Sequence, residues 1–354
     1  MILMEEKKRT EISDLGEFGL IDHLTKNIKL RNKSSLTGVG DDAAVISSGD
    51  KLTLVSTDLL VEGVHFDMSY TPLKHLGYKA AVVNFSDIYA MNGTPEQITV
   101  SIAISNRFSL DAVNELYEGI KLACERYGVD LVGGDTTSSL SGLFLSITVI
   151  GAAAKEEVIY RNTANENDLI CVSGDLGAAY MGLLVLEREK QVYKANPDMQ
   201  PVLEGLDYIL ERQLKPEARN DIGKMLQGVN VRPTAMIDIS DGLASDIMHV
   251  CKGSELGCQI YTDKLPIDTV TINVAADFQI DPHTAVMNGG EDYELLFTVK
   301  PGDYERLKDI SGIAVIGHMT DAASGMNLVT ADGMSIAIKA QGWDGLKDKF
   351  SPEH

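Results

Sequence analysis

Apolar residues in this chain follow two rhythms. Short runs rich in valine, isoleucine and leucine recur at 43–46, 51–57, 97–105, 129–132, 143–151, 169–173, 235–239, 258–262 and 295–299. Bounded by glycine, proline and aspartate, they read as strands. Between them, apolar positions shift to helical spacing. Leu15, Phe18, Ile21, Leu24 and Ile28 share one face after Ser13, and Leu110, Val113, Leu116, Ile120 and Ala123 share one within 109–127. Residues 73–91 are apolar nearly all round, which predicts a buried helix. Further helices are expected at 174–188, 201–214, 217–228, 242–252 and 302–310. Strands mixed with helices over 354 residues predict an α+β or α/β architecture in two domains, 1–153 and 154–354.

The polar positions at the ends of these runs carry the chemistry. Leu52-Thr-Leu-Val-Ser-Thr-Asp58, Val129-Asp-Leu-Val-Gly-Gly-Asp135 and Ala235-Met-Ile-Asp-Ile-Ser-Asp241 each close an apolar run with small residues and an aspartate. Gly38-Val-Gly-Asp-Asp-Ala-Ala44 places Asp41 and Asp42 side by side, and adjacent carboxylates repel unless a cation or a strong donor is near. Asp87 stands in the predicted buried helix one turn from Asn84, where a carboxylate is costly without a partner. Several carboxylates carried to the mouth of a sheet point to hard divalent cations with oxygen ligands. Asp241 also stands where it could cap the helix that follows. Gly133 and Gly134 permit close backbone approach, and their N–H groups could cradle a phosphate.

Net charge sharpens the picture. At −21 the chain lacks the basic stripe that nucleic acid requires. An anionic substrate would need metal ions or a local arginine to offset the field, and Arg161 is one cation near these motifs. The four cysteines, Cys124, Cys171, Cys251 and Cys258, form no C-x-x-C pair and read as buried thiols of a reducing compartment. The first residues lack a signal core, and no apolar run approaches membrane-spanning length, so a cytoplasmic location is expected. There is no Walker motif, no Gly-x-Gly-x-x-Gly after a strand, no Gly-x-Ser-x-Gly elbow and no His-Glu-x-x-His.

Taken together, Val39-Gly-Asp-Asp-Ala-Ala, Ser56-Thr-Asp-Leu-Leu-Val-Glu-Gly-Val-His-Phe, Tyr78-Lys-Ala-Ala-Val-Val-Asn-Phe-Ser-Asp, Gly133-Gly-Asp-Thr-Thr, Ile237-Asp-Ile-Ser-Asp-Gly-Leu and Gly289-Gly-Glu-Asp-Tyr-Glu-Leu resemble the thiamine-monophosphate kinase family. That family belongs to the aminoimidazole ribonucleotide synthetase-like superfamily. The resemblance runs from about Gly16 to Trp343. It implies a two-domain fold: an N-terminal mixed sheet with flanking helices that pairs in a homodimer, and a C-terminal α/β domain that completes the site. It implies ATP as co-substrate, thiamine monophosphate as acceptor and several Mg²⁺ ions per site. By motif, Asp42, Ser56, Thr57, Asp58, Asp87, Asp135, Asp238 and Asp241 would hold metal. Tyr117, Gly134, Asp135, Arg161 and Ser240 would contact ATP, and His65, Glu291 and Trp343 the acceptor. Within the superfamily, selenophosphate synthetase would carry a reactive Cys or selenocysteine in an early glycine-rich loop, whereas Cys124 is the first cysteine and falls in a helix.

Overall fold

The computed structural model describes residues 30–340 together with Ile21 and Thr25. The expected helix over 13–28 and Trp343 therefore lie outside the described residues, apart from Ile21 and Thr25. Two mixed sheets organise the rest. The first comprises β1 (Ser35–Thr37), β2 (Ala44–Ser48), β3 (Lys51–Val61), β4 (Thr94–Ile104), β5 (Asp130–Ser138) and β6 (Leu143–Ala154), in the order β1-β2-β3-β6-β4-β5. Only its last pair, β4 and β5, is parallel.

The second sheet comprises β7 (Leu169–Ser173), β8 (Ala235–Asp238), β9 (Leu256–Tyr261), β10 (Leu295–Val299), β11 (Ile313–Asp321), β12 (Met326–Val329) and β13 (Ser335–Ala337). Their order is β13-β12-β9-β11-β7-β10-β8. β7, β8 and β10 are buried almost throughout and read as continuous apolar runs, as strands covered on both faces do.

One helix joins the halves. α1 (Leu73–Ala90) buries Leu76, Ala80, Val83, Phe85 and Ile88 and packs on both β3 and β8. α2 (Leu110–Tyr127) crosses it at backbone contact: a Cβ on Gly77 would lie 1.9 Å from the Leu116 carbonyl, and one on Gly119 1.9 Å from that of Lys74. Ser109 caps α2, its hydroxyl accepting the Ala112 N–H, and Gly128 ends it in the left-handed region. All four cysteines are buried and free; Cys124 lies in the core of the first sheet, and Cys251 hydrogen bonds Cys258 in that of the second.

Three local expectations are corrected. β3 does not stop at Thr57. It pairs with β6 from Lys51↔Ala154 to Val61↔Phe144, so Asp58 is a mid-strand residue. β5 likewise continues through Gly133-Gly-Asp-Thr-Thr, which is strand and not a phosphate-cradling turn. Gly134 is glycine because it faces β4: a Cβ there would lie 1.9 Å from the Val100 carbonyl. Asp241 does not take the N-cap position, because Gly242, at φ 100°, occupies it at the start of the helix Leu243–Ser254.

Candidate active site

β2 pairs with β3 only as far as Ala44↔Val55, so the Gly38–Ala43 loop leaves the sheet beside Ser56. Beyond Val55 that edge of β3 is open, and α1 fills it. Asn84 Oδ1 accepts the Asp58 N–H at 3.2 Å, and the Ser56 hydroxyl donates to Asp87 at 2.6 Å. On the opposite side the Ser86 hydroxyl donates to Asp238 at 2.6 Å, at the end of β8. One turn of α1 thus draws Asp58 and Asp238 together from different sheets. Asp42, Asp87 and Asp241 stand within electrostatic reach of them, and Asp246, on the helix Leu243–Ser254, faces Asp241, Asp238 and Asp42.

Desolvation, with mutual repulsion added, works against ionising this cluster. Asp58 is pushed up to about 6 by burial and then by Asp241. Asp238 also rises to about 6, chiefly from burial, although the Ser86 hydroxyl opposes the shift. Asp42, Asp87 and Asp246 lie well above the ordinary carboxylate range, burial again leading. One oxygen each of Asp42 and Asp246 is buried with no hydrogen-bond partner. Such an array suits a hard cation, which would reverse the repulsion. Among the described residues no three His, Cys, Asp or Glu side chains form a ready-made metal cage. Magnesium fits that arrangement, because it keeps several waters and shares its sphere with phosphates.

Arg161 closes one side of the cluster. Its Nε–H donates to the Gly40 carbonyl at 2.9 Å, its backbone N–H donates to Asp41 at 3.4 Å, and its guanidinium lies 3.6 Å from Asp42. It is the expected cation beside the acidic loop.

The second group of residues converges on Glu291. The β8–β10 ladder continues into the flanking turns: the Ile239 N–H donates to the Glu294 carbonyl, the Tyr293 N–H to that of Ile239, and the Glu291 N–H to that of Ser240 at 2.7 Å. Gly290, Glu291 and Tyr293 all have positive φ, a turn that only surrounding contacts can hold in non-glycine residues. Glu291 then meets Lys79 Nζ at 2.8 Å and the Gln213 side-chain amide at 2.7 Å. His65 senses both charges. Its Nδ1 accepts the Val61 N–H at 3.0 Å, so in the neutral ring the proton sits on Nε2. Burial holds its pKa below the usual histidine value, consistent with that neutral form.

The rest of the Gly289–Glu294 motif is structural. Asp292 accepts the Gly177 N–H, and buried Glu294 takes Ser173, Arg212 and Arg219.

Four expected residues stand apart from the cluster, Gly134 among them as the neighbour of Asp135 on β5. Thr57 alternates to the opposite face of β3, where its hydroxyl donates to the Ile147 carbonyl. Asp135 is exposed on β5. The registers Leu59↔Ser146, Ser146↔Ser101 and Ser101↔Asp135 put it three strands from β3, about 14 Å at ordinary strand spacing. Tyr117 is half-buried against the core under the first sheet.

Lys79, Gln213 and Asp246 were missed. Lys79 had a signal, since a lone charge inside an all-apolar helix must be paired; Gln213 had none.

Two sheets bridged by a helix that gathers carboxylates from both define a protein of the aminoimidazole ribonucleotide synthetase-like class. Residues 40–153 match the family model "AIR synthase related protein, N-terminal domain". The chain belongs to the thiamine-monophosphate kinase family. It is 31% identical over 339 residues to the thiamine-monophosphate kinase of Bacillus subtilis, covering 94% of this chain and 100% of that one. With the enzyme of Aquifex aeolicus it shares 33% over 332 residues, 94% of this chain and 98% of the relative. Its fold is similar to the solved "AaThiL complexed with AMPPCP and TMP", with TM-score 0.80 and 32% identity over 95% of this chain and 99% of that one. Hydrogenase maturation protein HypE from Escherichia coli, at 16% identity, TM-score 0.65 and coverage of 97% and 93%, shares the fold alone.

Proposed function

We propose that this chain transfers the γ-phosphoryl group of ATP directly to thiamine monophosphate, giving thiamine diphosphate and ADP. The observation that carries the reading is the meeting of Asp58 and Asp238, from separate sheets, beneath Ser86 and Asp87 of one helix. Phosphoryl transfer asks for positioning and charge neutralisation more than for covalent chemistry. Asp42, Asp58, Asp87, Asp238 and Asp241 would hold Mg²⁺, several ions per site. When bound, Mg²⁺ would neutralise the facing phosphates.

Arg161 and Ser240 flank this cluster and suit the nucleotide, with Gly134, Asp135 and Tyr117 of the N-terminal half as its further contacts. His65 Nε2–H and Glu291 suit the acceptor, with Trp343. Asp135 and Thr57 are metal contacts by resemblance, and their positions leave the buried carboxylates as the main binding set. An oxygen of the acceptor phosphate attacks the γ-phosphorus, and the bond to the β–γ bridging oxygen breaks. The acceptor is largely ionised near neutral pH, its second pKa being about 6, so no protein base is required.

The exposed edge strand β5 supports a homodimer formed through the first sheet. A first sheet that ends with β6 and a second that begins with β7 support a division into 1–153 and 154–354. No described helix is long and apolar enough to cross a membrane, which accords with a cytoplasmic enzyme. The test is ADP release from Mg-ATP with thiamine monophosphate, free thiamine or an aminoimidazole precursor, with the product identified by mass. Turnover with thiamine monophosphate alone supports the reading; none with it, while ATP still binds, sinks it.

A further inference from the structure

His65 sits on a loop whose base and tip are anchored to different halves of the molecule. At the base, Glu62 pairs with Arg107 and accepts the Leu143 N–H, and Phe66 is buried in the first core. The tip is built on Asp67. One of its oxygens accepts the Ser69 N–H at 2.7 Å, and its carbonyl accepts the N–H groups of Tyr70 and Thr71. The other carboxylate oxygen lies 2.8 Å from Lys190 Nζ, on the helix Ala178–Ala195 of the second half. Lys190 also meets Glu187 at 3.0 Å and lies 5.7 Å from the centre of the Tyr70 ring. The Tyr70 hydroxyl donates to Glu187 at 2.7 Å. Asp67, Tyr70, Glu187 and Lys190 thus form a closed polar network across the two halves. Lys190 is largely withdrawn from solvent, its side chain 16% exposed.

We infer that Lys190, Glu187 and Tyr70 are positioning residues that latch the 62–71 loop against the second half and so fix His65 over the acceptor site. The inference rests on the proposed role of His65. The physics favours positioning over simple bracing. Glu291, the other acceptor contact, belongs to the second half, so the gap between His65 and Glu291 is set by whatever ties this loop to that half. Lys190 is the cation in that tie, and both carboxylates it meets hold main-chain or aromatic parts of the loop. Loss of the latch therefore widens the acceptor site and leaves Arg161 and the carboxylate cluster in place.

The experiment compares Lys190→Met, Lys190→Arg and Tyr70→Phe with the unmodified full chain. Steady-state kinetics and hydrogen exchange of the 62–71 amides are read on the same preparations. For Lys190→Met the KM for thiamine monophosphate should rise about five-fold, the upper scale of one ion pair that solvent still reaches. kcat should stay within about two-fold and the KM for ATP should not move. The loop amides should exchange faster, Tyr70→Phe should give a smaller effect of the same sign, and Lys190→Arg should restore both readouts. In a His65→Ala background Lys190→Met should add little, because the residue it positions is gone. Unchanged loop exchange, or equal rises in both KM values, overturns the latch. If the unmodified chain does not turn over thiamine monophosphate, the functional reading fails by itself, and loop exchange still decides whether the latch exists.

Discussion

Ser86 and Asp87 are consecutive residues of one helix, yet they bond to opposite halves of the protein: Ser86 donates to Asp238, and Asp87 accepts from Ser56. Successive helical residues diverge by about 100°, so a single turn can serve two sheets. The acidic site is therefore a product of how the halves dock, and it exists only when both are folded against α1.

Replacing Asp58 by Asn should lower kcat/KM in Mg-ATP by about 10²–10³-fold, the usual scale for losing one electrostatic group at a transition state. The same variant, stripped of metal by EDTA, should be more stable than the parent at pH 7. Asp58 has its folded pKa raised to about 6 from 3.8, so ionising it disfavours the folded state. That penalty is absent below about pH 4, grows between about pH 4 and pH 6, and levels off above that at about 1–3 kcal/mol. Thermal melts in EDTA at pH 4 and 7 read it; a variant that melts lower at pH 7 contradicts the account.

Lys79 is nearly fully buried, and its charge is balanced by Glu291. Lys79→Met should strand that carboxylate and cost about 2–4 kcal/mol in urea unfolding. Lys79→Met combined with Glu291→Gln should recover most of the loss, since no charge is then left unpaired. Additive losses in the double variant would show that the two side chains act separately.

Because the Val61 N–H occupies Nδ1 of His65, protonation there must break that bond. With its pKa held below the ordinary histidine value, His65 is neutral at pH 7. The KM for thiamine monophosphate should be flat from about pH 7 to about 8.5 and rise only under acid conditions. His65→Asn should keep only the part of the profile due to the acceptor's own phosphate. An identical profile in both proteins would remove His65 from the acceptor site.

Gly134→Ala should disrupt the parallel β4–β5 pair, because its Cβ would meet the Val100 carbonyl at 1.9 Å. A loss of at least about 2 kcal/mol is expected, the scale of overpacking against unyielding atoms. Wild-type stability in a denaturant titration would mean that the strands can separate at no cost.

Much of this was legible in the sequence. Apolar periodicity predicted α1, α2 and most of the strands, because buried strands and buried helices differ in run length and in how they are punctuated. The aspartates ending those runs announced an acidic site. What periodicity could not show was register. Whether Asp58 ends a strand or continues it depends on Phe144 and Ile147 of a partner strand about 90 residues away. That Thr57 turns away while Ser56 and Asp58 turn inward follows from the same pairing. Gln213 and Lys190 left no local trace, since each matters through a side chain far away in sequence, Glu291 for Gln213 and Asp67 for Lys190.

The four cysteines have a use unconnected with catalysis. Cys124 lies in the core of the first sheet, Cys251 and Cys258 share one core of the second, and Cys171 sits in a third cluster. A thiol shut inside a core reacts with a labelling reagent only when that core opens. Each cluster thus carries its own time stamp. Pulsed labelling read by peptide mass would show which core opens first, and whether Mg-ATP slows all three or only those whose walls the acidic cluster joins.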